Sequence, residues 1–240
     1  DVFPVLSLME PFTTPTANDD DREILRRALR ETIRWHRNYD DAPTHELDAW
    51  LLAVESCYER LAPADIVNRY CWLFNNHWVE LPSRERKDPV ESRRSELTLA
   101  RIAALTEIQN SLGMAGVDTI IAVCNEPSSV GSALAEMNWT EIQWVDWFIA
   151  KGGDFTQGEA MTGCISGILR STPLPRSIEW LQQGMAMANQ LSWDAPKRAR
   201  FLNLARPERE TWNLAAACGN DVDMAYWATV QPNLYRHEND

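Results

Sequence analysis

The chain has 240 residues, of which 45% are hydrophobic and 24% charged, and 23 Lys and Arg against 35 Asp and Glu give it a net charge of −12. That balance is typical of a folded soluble domain and excludes a chain disordered throughout. The negative charge repels nucleic acid and anionic membrane overall, and no apolar run reaches the roughly 18 residues of a membrane helix.

The first eighteen residues carry Pro4, Pro11 and Pro15 between short apolar groups and read as an extended arm (1–18) ahead of a single all-α domain (19–240). DDDREILRRALRETIRWHRN then predicts an amphipathic helix over about 20–38, its aspartates at the N-terminus and Leu25, Ala28, Leu29 and Ile33 facing inward. A second helix starts at Thr44. A third has Pro63 in its first turn and carries Ile66, Val67, Tyr70, Phe74 and Trp78.

LPSRERKDP reads as an exposed loop, with a division into two subarrays near 80–89. A long helix follows to Leu112, stopped by Gly113, then helices at about 115–125, 127–137 and 141–151. Thr156 and Glu159 form a capping-box pattern for the next helix. Later helices begin at Pro175, at Asp194 with Pro196, and at Pro207, the last stopped by Gly219, and a final one spans about 221–230.

About twelve helices without strand alternation predict an all-α protein, built as stacked antiparallel helical hairpins (α-solenoid-like) or as a multi-helix bundle. In helix rhythm, residues 20–232 resemble the HEAT- and TPR-type repeat regions of larger multidomain proteins, which implies a scaffold or docking role. The start at Asp1 without a methionine is read the same way, as a segment of a longer polypeptide.

Tryptophan is the outlier, with 11 copies. In NWTEIQWVDWFIAK, Thr140 and Gln143 make a capping box, and Trp139 and Trp144 a hydrophobic staple. Trp144, Trp147 and Phe148 fall on one side of that helix, so Trp147 is either packed between layers or a partner contact. Trp72, Trp78, Trp212 and Trp227 are expected in the core.

Arg22, Arg26, Arg30 and Arg37 share a narrow arc of the first long helix and can grip carboxylates or phosphates, or form a solvated face. Arg84, Arg86 and Lys87, with Arg93 and Arg94, make a second basic cluster. Asp19, Asp20 and Glu23 match the DDxx(D/E) pattern with which all-α terpene synthases hold magnesium diphosphate, but they open a helix and are read as its cap. No HExxH, GxSxG or phosphate-loop pattern occurs, so neither metal nor other cofactor is assigned and no catalytic residue is named. Five cysteines without a CxxC pair point to a reducing, cytoplasmic setting.

These readings favour a non-catalytic interaction, scaffold or sensor module that binds a protein partner or other domains of its own polypeptide. The alternatives are an all-α enzyme or small-ligand binder using dispersed residues such as His36, His77, Glu107 or Glu126, and nucleic-acid binding through the local arginine clusters.

Overall fold

The computed structural model describes residues 3–14, 16–39, 45–79, 81–82, 90–137, 146–147 and 158–230. Every regular element among them is helical. None of these helices is long and apolar enough to cross a membrane. Two compact units divide at 125/126, not near 80–89.

The first unit opens with α1 (Phe3–Met9) and a 3-10 turn (Glu10–Thr13) where an extended arm was expected. Proline caused the misreading. Pro4 lies in the first turn of α1 and Pro11 at the start of the 3-10 turn, places where a missing N–H costs nothing. Burial supplies the driving force: Leu6 enters a core with Leu29, Ile33, Val54, Cys57, Tyr58 and Leu61, and Met9 and Phe12 pack against it. Leu29 and Ile33 come from α2 (Asp19–Tyr39), the other four from α3 (His45–Arg60) and the residue after it.

The third helix is shorter than its apolar spacing suggests, with α4 spanning Ile66–Cys71. Asp65, not Pro63, starts it, its carboxylate accepting the Asn68 N–H at 2.8 Å. A 3-10 turn, Trp72–Phe74, then carries the chain off the helical path, so Trp78 lies beyond the helix and is exposed. Next comes α5 (Val90–Val123), interrupted at Gly113 (φ 65°, ψ −158°), the stop read from the sequence.

In the second unit, α6 (Pro127–Glu136) and α7 (Glu159–Ser171) cross closely. A β-carbon on Gly131 would fall inside the carbonyl oxygen of Cys164, and one on Gly167 inside that of Ser128. Glycine at these two positions lets the backbones meet. The expected capping box is not what starts α7, because Gly158 is its N-cap, Glu159 is its first residue and Thr156 lies outside the described residues.

The remaining helices are α8 (Arg176–Gln190), α9 (Ala195–Leu202, capped by Asp194 through the Lys197 N–H at 2.9 Å), α10 (Arg209–Ala217) and α11 (Asn220–Thr229). Their core includes Trp180, Leu181, Phe201, Ala215 and Tyr226. Gly219, at φ 108°, makes the sharp turn between α10 and α11.

Candidate functional site

Of the four arginines that share the arc of α2, three point inward. Arg22, Arg26 and Arg30 are buried, which corrects the picture of a solvated stripe open to a partner. A guanidinium carries five donors and no acceptor, so its burial requires oxygens or aromatic faces around it. Arg22 donates through Nε to the Phe12 carbonyl at 3.2 Å, through Nη1 to the Ala62 carbonyl at 3.2 Å, and through Nη2 to the Thr14 carbonyl. Arg26 donates to the Arg69 carbonyl at 3.2 Å and lies 4.4 Å over the Tyr58 ring.

Arg30 stacks 3.9 Å over Trp72 and pairs with Glu23 at 3.0 Å. Arg37, half-buried, pairs with Glu55. Arg101 of α5 repeats the pattern, donating to the carbonyls of Leu73, Asn76 and His77 at 2.9, 2.8 and 3.2 Å. Arg26 from α2 and Arg101 from α5 therefore serve carbonyls of a short helix, its 3-10 extension and the residues just after it, while Arg22 serves those of Phe12, Thr14 and Ala62. Guanidinium groups engaged in this way are not offered to a phosphate backbone.

Arg84, Arg86 and Lys87 lie outside the described residues, as do Thr140, Gln143 and the staple tryptophans. Of that aromatic segment, Asp146 and Trp147 are described. Trp147 is buried, so its indole is not presented to a partner.

The residues of the dispersed-enzyme alternative are not brought together. His36 sits between the rings of Trp35 and Trp50, with centroids 4.9 and 4.2 Å away. Glu107 accepts from the Tyr70 hydroxyl and lies 3.6 Å from Arg69. Burial pushes the Tyr70 phenol up, and the Glu107 carboxylate beside it adds to the effect. His77 is exposed, and Glu126, which accepts from Ser128, belongs to the other unit. Among the described residues no three His, Cys, Asp or Glu side chains are grouped so as to hold a metal ion. Asp19 accepts the N–H groups of Ala64 and Asp65, both at 2.9 Å. Its carboxyl stays below the ordinary range: burial pushes it up, and those two N–H groups with Arg22 and Arg69 outweigh that.

Two surface features remain. In the first unit, a cavity of about 590 Å³ lies between α2 and the segment after α4. Arg27, Arg30, Arg34 and Glu23 line it from the helix, and Trp78 and Asn76 from the opposite wall. Glu23 Oε2 and Arg30 Nη1 are covered from water and lack a hydrogen-bond partner among the described residues. Each such group forfeits about 1–3 kcal/mol until something satisfies it.

The second feature corrects a core assignment. Trp212 and Trp227, expected inside, are 38% and 46% exposed, with ring centroids 5.7 Å apart and Met224 beside them at 58%. The turn at Gly219 folds α10 and α11 so that Thr211, Ala215, Val222 and Tyr226 take the interior, which leaves Trp212, Met224 and Trp227 outside. Trp227 Nε1 donates to Asp223 at 3.1 Å, which holds that ring in place.

Comparison with protein-family models, curated proteins and solved structures returned no match.

Proposed function

We propose that the chain is a non-catalytic α-helical interaction module, of scaffold or sensor type, whose protein-docking face is formed by Trp212, Met224 and Trp227. The observation that carries this reading is the exposed tryptophan pair. Large apolar rings on a surface mark binding sites, and tryptophan is enriched among the residues that dominate binding energy. Because the Trp227 indole N–H is already bonded to Asp223, and the two rings pack with centroids 5.7 Å apart, the ring faces are held in place and little side-chain freedom is lost on docking.

Charge defines the partner further. From Arg206 to Thr229 the carboxylates of Glu208, Glu210, Asp221 and Asp223 outnumber the cations Arg206, which lies 4.0 Å from Glu208, and Arg209. The fitting partner is a protein segment with an apolar anchor flanked by Lys or Arg. The helical-repeat resemblance supports such a role, and five free cysteines support a reducing, cytoplasmic setting.

The test places a photo-crosslinking amino acid at Met224 in cells that produce the protein, with Leu99 as an exposed control position, and titrates the purified partner so identified. Trp212→Ala with Trp227→Ala is expected to weaken that binding by about 30-fold or more, the scale of a hot-spot loss. Unchanged affinity in a double variant with native helix content would refute the reading, as would equal crosslinking from Leu99.

A further inference from the structure

We propose that the cavity between α2 and the turn after α4 binds a neutral saccharide, a β-glucoside whose pyranose ring carries its hydroxyls equatorially. The site lies in the first unit and is independent of the tryptophan face. Its volume of about 590 Å³ is within the range of small-ligand sites.

The ligand's charge is read from the side chains that open to the cavity. Glu23 and Arg30 hold each other at 3.0 Å with Oε2 and Nη1 covered from water, and Arg34 is already engaged, so none of the three is free for a ligand. What remains is Arg27 and Glu31, both exposed and one helical turn apart, without an ion pair or hydrogen bond of their own among the described residues. A cation and an anion so close together favour neither an anionic nor a cationic ligand. The overall charge of −12 does not oppose a neutral one.

The hydrogen-bonding character is read from the carboxamides. Asn75 Oδ1 accepts the Asn125 N–H at 3.1 Å and the Cys71 thiol at 3.6 Å, which leaves the Asn75 amino group to the cavity. Asn76 and Asn125 also line it, both exposed and each with donors and an acceptor. Together with Arg27 and Glu31 they present donors and acceptors in one rim. A phosphate only accepts and an ammonium only donates, whereas a hydroxyl does both, so a polyhydroxy ligand uses the whole set.

The ring is read from the apolar walls. Ile24 of α2 is 58% exposed, and Trp78 across the cavity is 40% exposed. A ring held between them must be apolar on its faces and polar at its edge. An all-equatorial pyranose is built so: axial C–H bonds project from both faces and meet the electron-rich indole face with their positive ends. An axial hydroxyl, as in a galactoside, would press a polar group against one wall without a partner.

The experiment is saturation-transfer NMR, with titration, of the whole chain against cellobiose, methyl β-glucoside, methyl β-galactoside and guanosine. Cellobiose is expected to saturate one site with a Kd of about 1 mM, the saturation passing mainly to ring C–H protons. Methyl β-galactoside is expected to bind at least ~5-fold more weakly than methyl β-glucoside. Guanosine, also flat with a polar edge, is expected not to displace cellobiose. Trp78→Ala is expected to weaken cellobiose binding at least ~10-fold and Asn76→Ala at least ~3-fold, both with unchanged circular dichroism, while Trp78→Phe keeps most of the affinity. Failure of cellobiose to saturate below about 50 mM would overturn the proposal. So would equal binding of the two methyl glycosides, displacement by guanosine, or cellobiose affinity indifferent to Trp78→Ala.

Discussion

Replacing Arg101 by Met keeps most of the side chain's apolar length and removes its guanidinium. Three bonds disappear, to the carbonyls of Leu73, Asn76 and His77. Hydrogen bonds to a charged group are worth about 1.5–3 kcal/mol each, so a plain sum is about 4.5–9 kcal/mol. Two effects reduce it. Asn76 and His77 are exposed, and their carbonyls regain water. Removing a buried charge also returns its desolvation cost. What stays unrepaired is the Leu73 carbonyl beside the fully buried Phe74, and the expected net loss is about 3 kcal/mol. With a urea slope of about 1.5–2 kcal/mol/M for a unit of this size, the midpoint of the first unit falls by about 1.5–2 M. Arg101→Lys, which keeps the charge but reaches fewer oxygens, is expected to lose roughly half as much. Urea unfolding followed by circular dichroism gives the midpoint, and amide hydrogen exchange across residues 72–79 gives the local effect. A midpoint shift below about 0.3 M, with unchanged exchange over that segment, would refute the view that buried guanidinium groups hold it.

Three further outcomes are expected. Gly131→Ala and Gly167→Ala each force α6 and α7 apart and cost about 3 kcal/mol or more, read from the thermal midpoint of the second unit; a loss under about 0.5 kcal/mol would contradict the close crossing. Asp19 has a depressed folded-state pKa, so its contribution is present above the unfolded pKa of about 4 and is lost as pH falls through the folded value. Asp19→Asn is therefore expected to cost about 1 kcal/mol at pH 7 and progressively less as pH falls below the unfolded pKa, seen as converging urea midpoints. Burial pushes the thiols of Cys57, Cys71 and Cys218 up, and Cys124 and Cys164 are buried. Alkylation by iodoacetamide at pH 7.5 is thus expected to be slow for all five until urea unfolds the chain, and a fast-reacting native thiol would contradict that packing.

Helix identity was legible because it depends on local signals: Gly113 and Gly219 stop helices, and Asp194 caps one, as their types imply. Side-chain placement depended on what lies opposite, which local periodicity does not record. The α2 arginines share a stripe suited to solvent, yet the segment from Tyr58 to Trp72 turns aromatic rings and uncapped carbonyls toward that stripe and draws it in. A signal was available in retrospect, since a short helix without a terminal glycine, rich in Tyr and Trp, needs donors from another element. The tryptophans failed in the other direction. Hydrophobicity placed Trp212 and Trp227 inside, but the turn at Gly219 gives the interior of that hairpin to Thr211, Ala215, Val222 and Tyr226. The Glu23–Arg30 pair in the cavity wall was not legible either, because its seven-residue separation on α2 gives no cue to the missing partners.

The docking role rests on which indoles meet water. Labelling the whole chain with 5-fluorotryptophan and adding a soluble gadolinium chelate reads this directly, one fluorine resonance per tryptophan. The expected result is strong broadening for Trp35, Trp78, Trp212 and Trp227, with Trp147, Trp180 and Trp193 left sharp. Sharp, protected resonances for Trp212 and Trp227 would contradict the surface on which the proposed function stands.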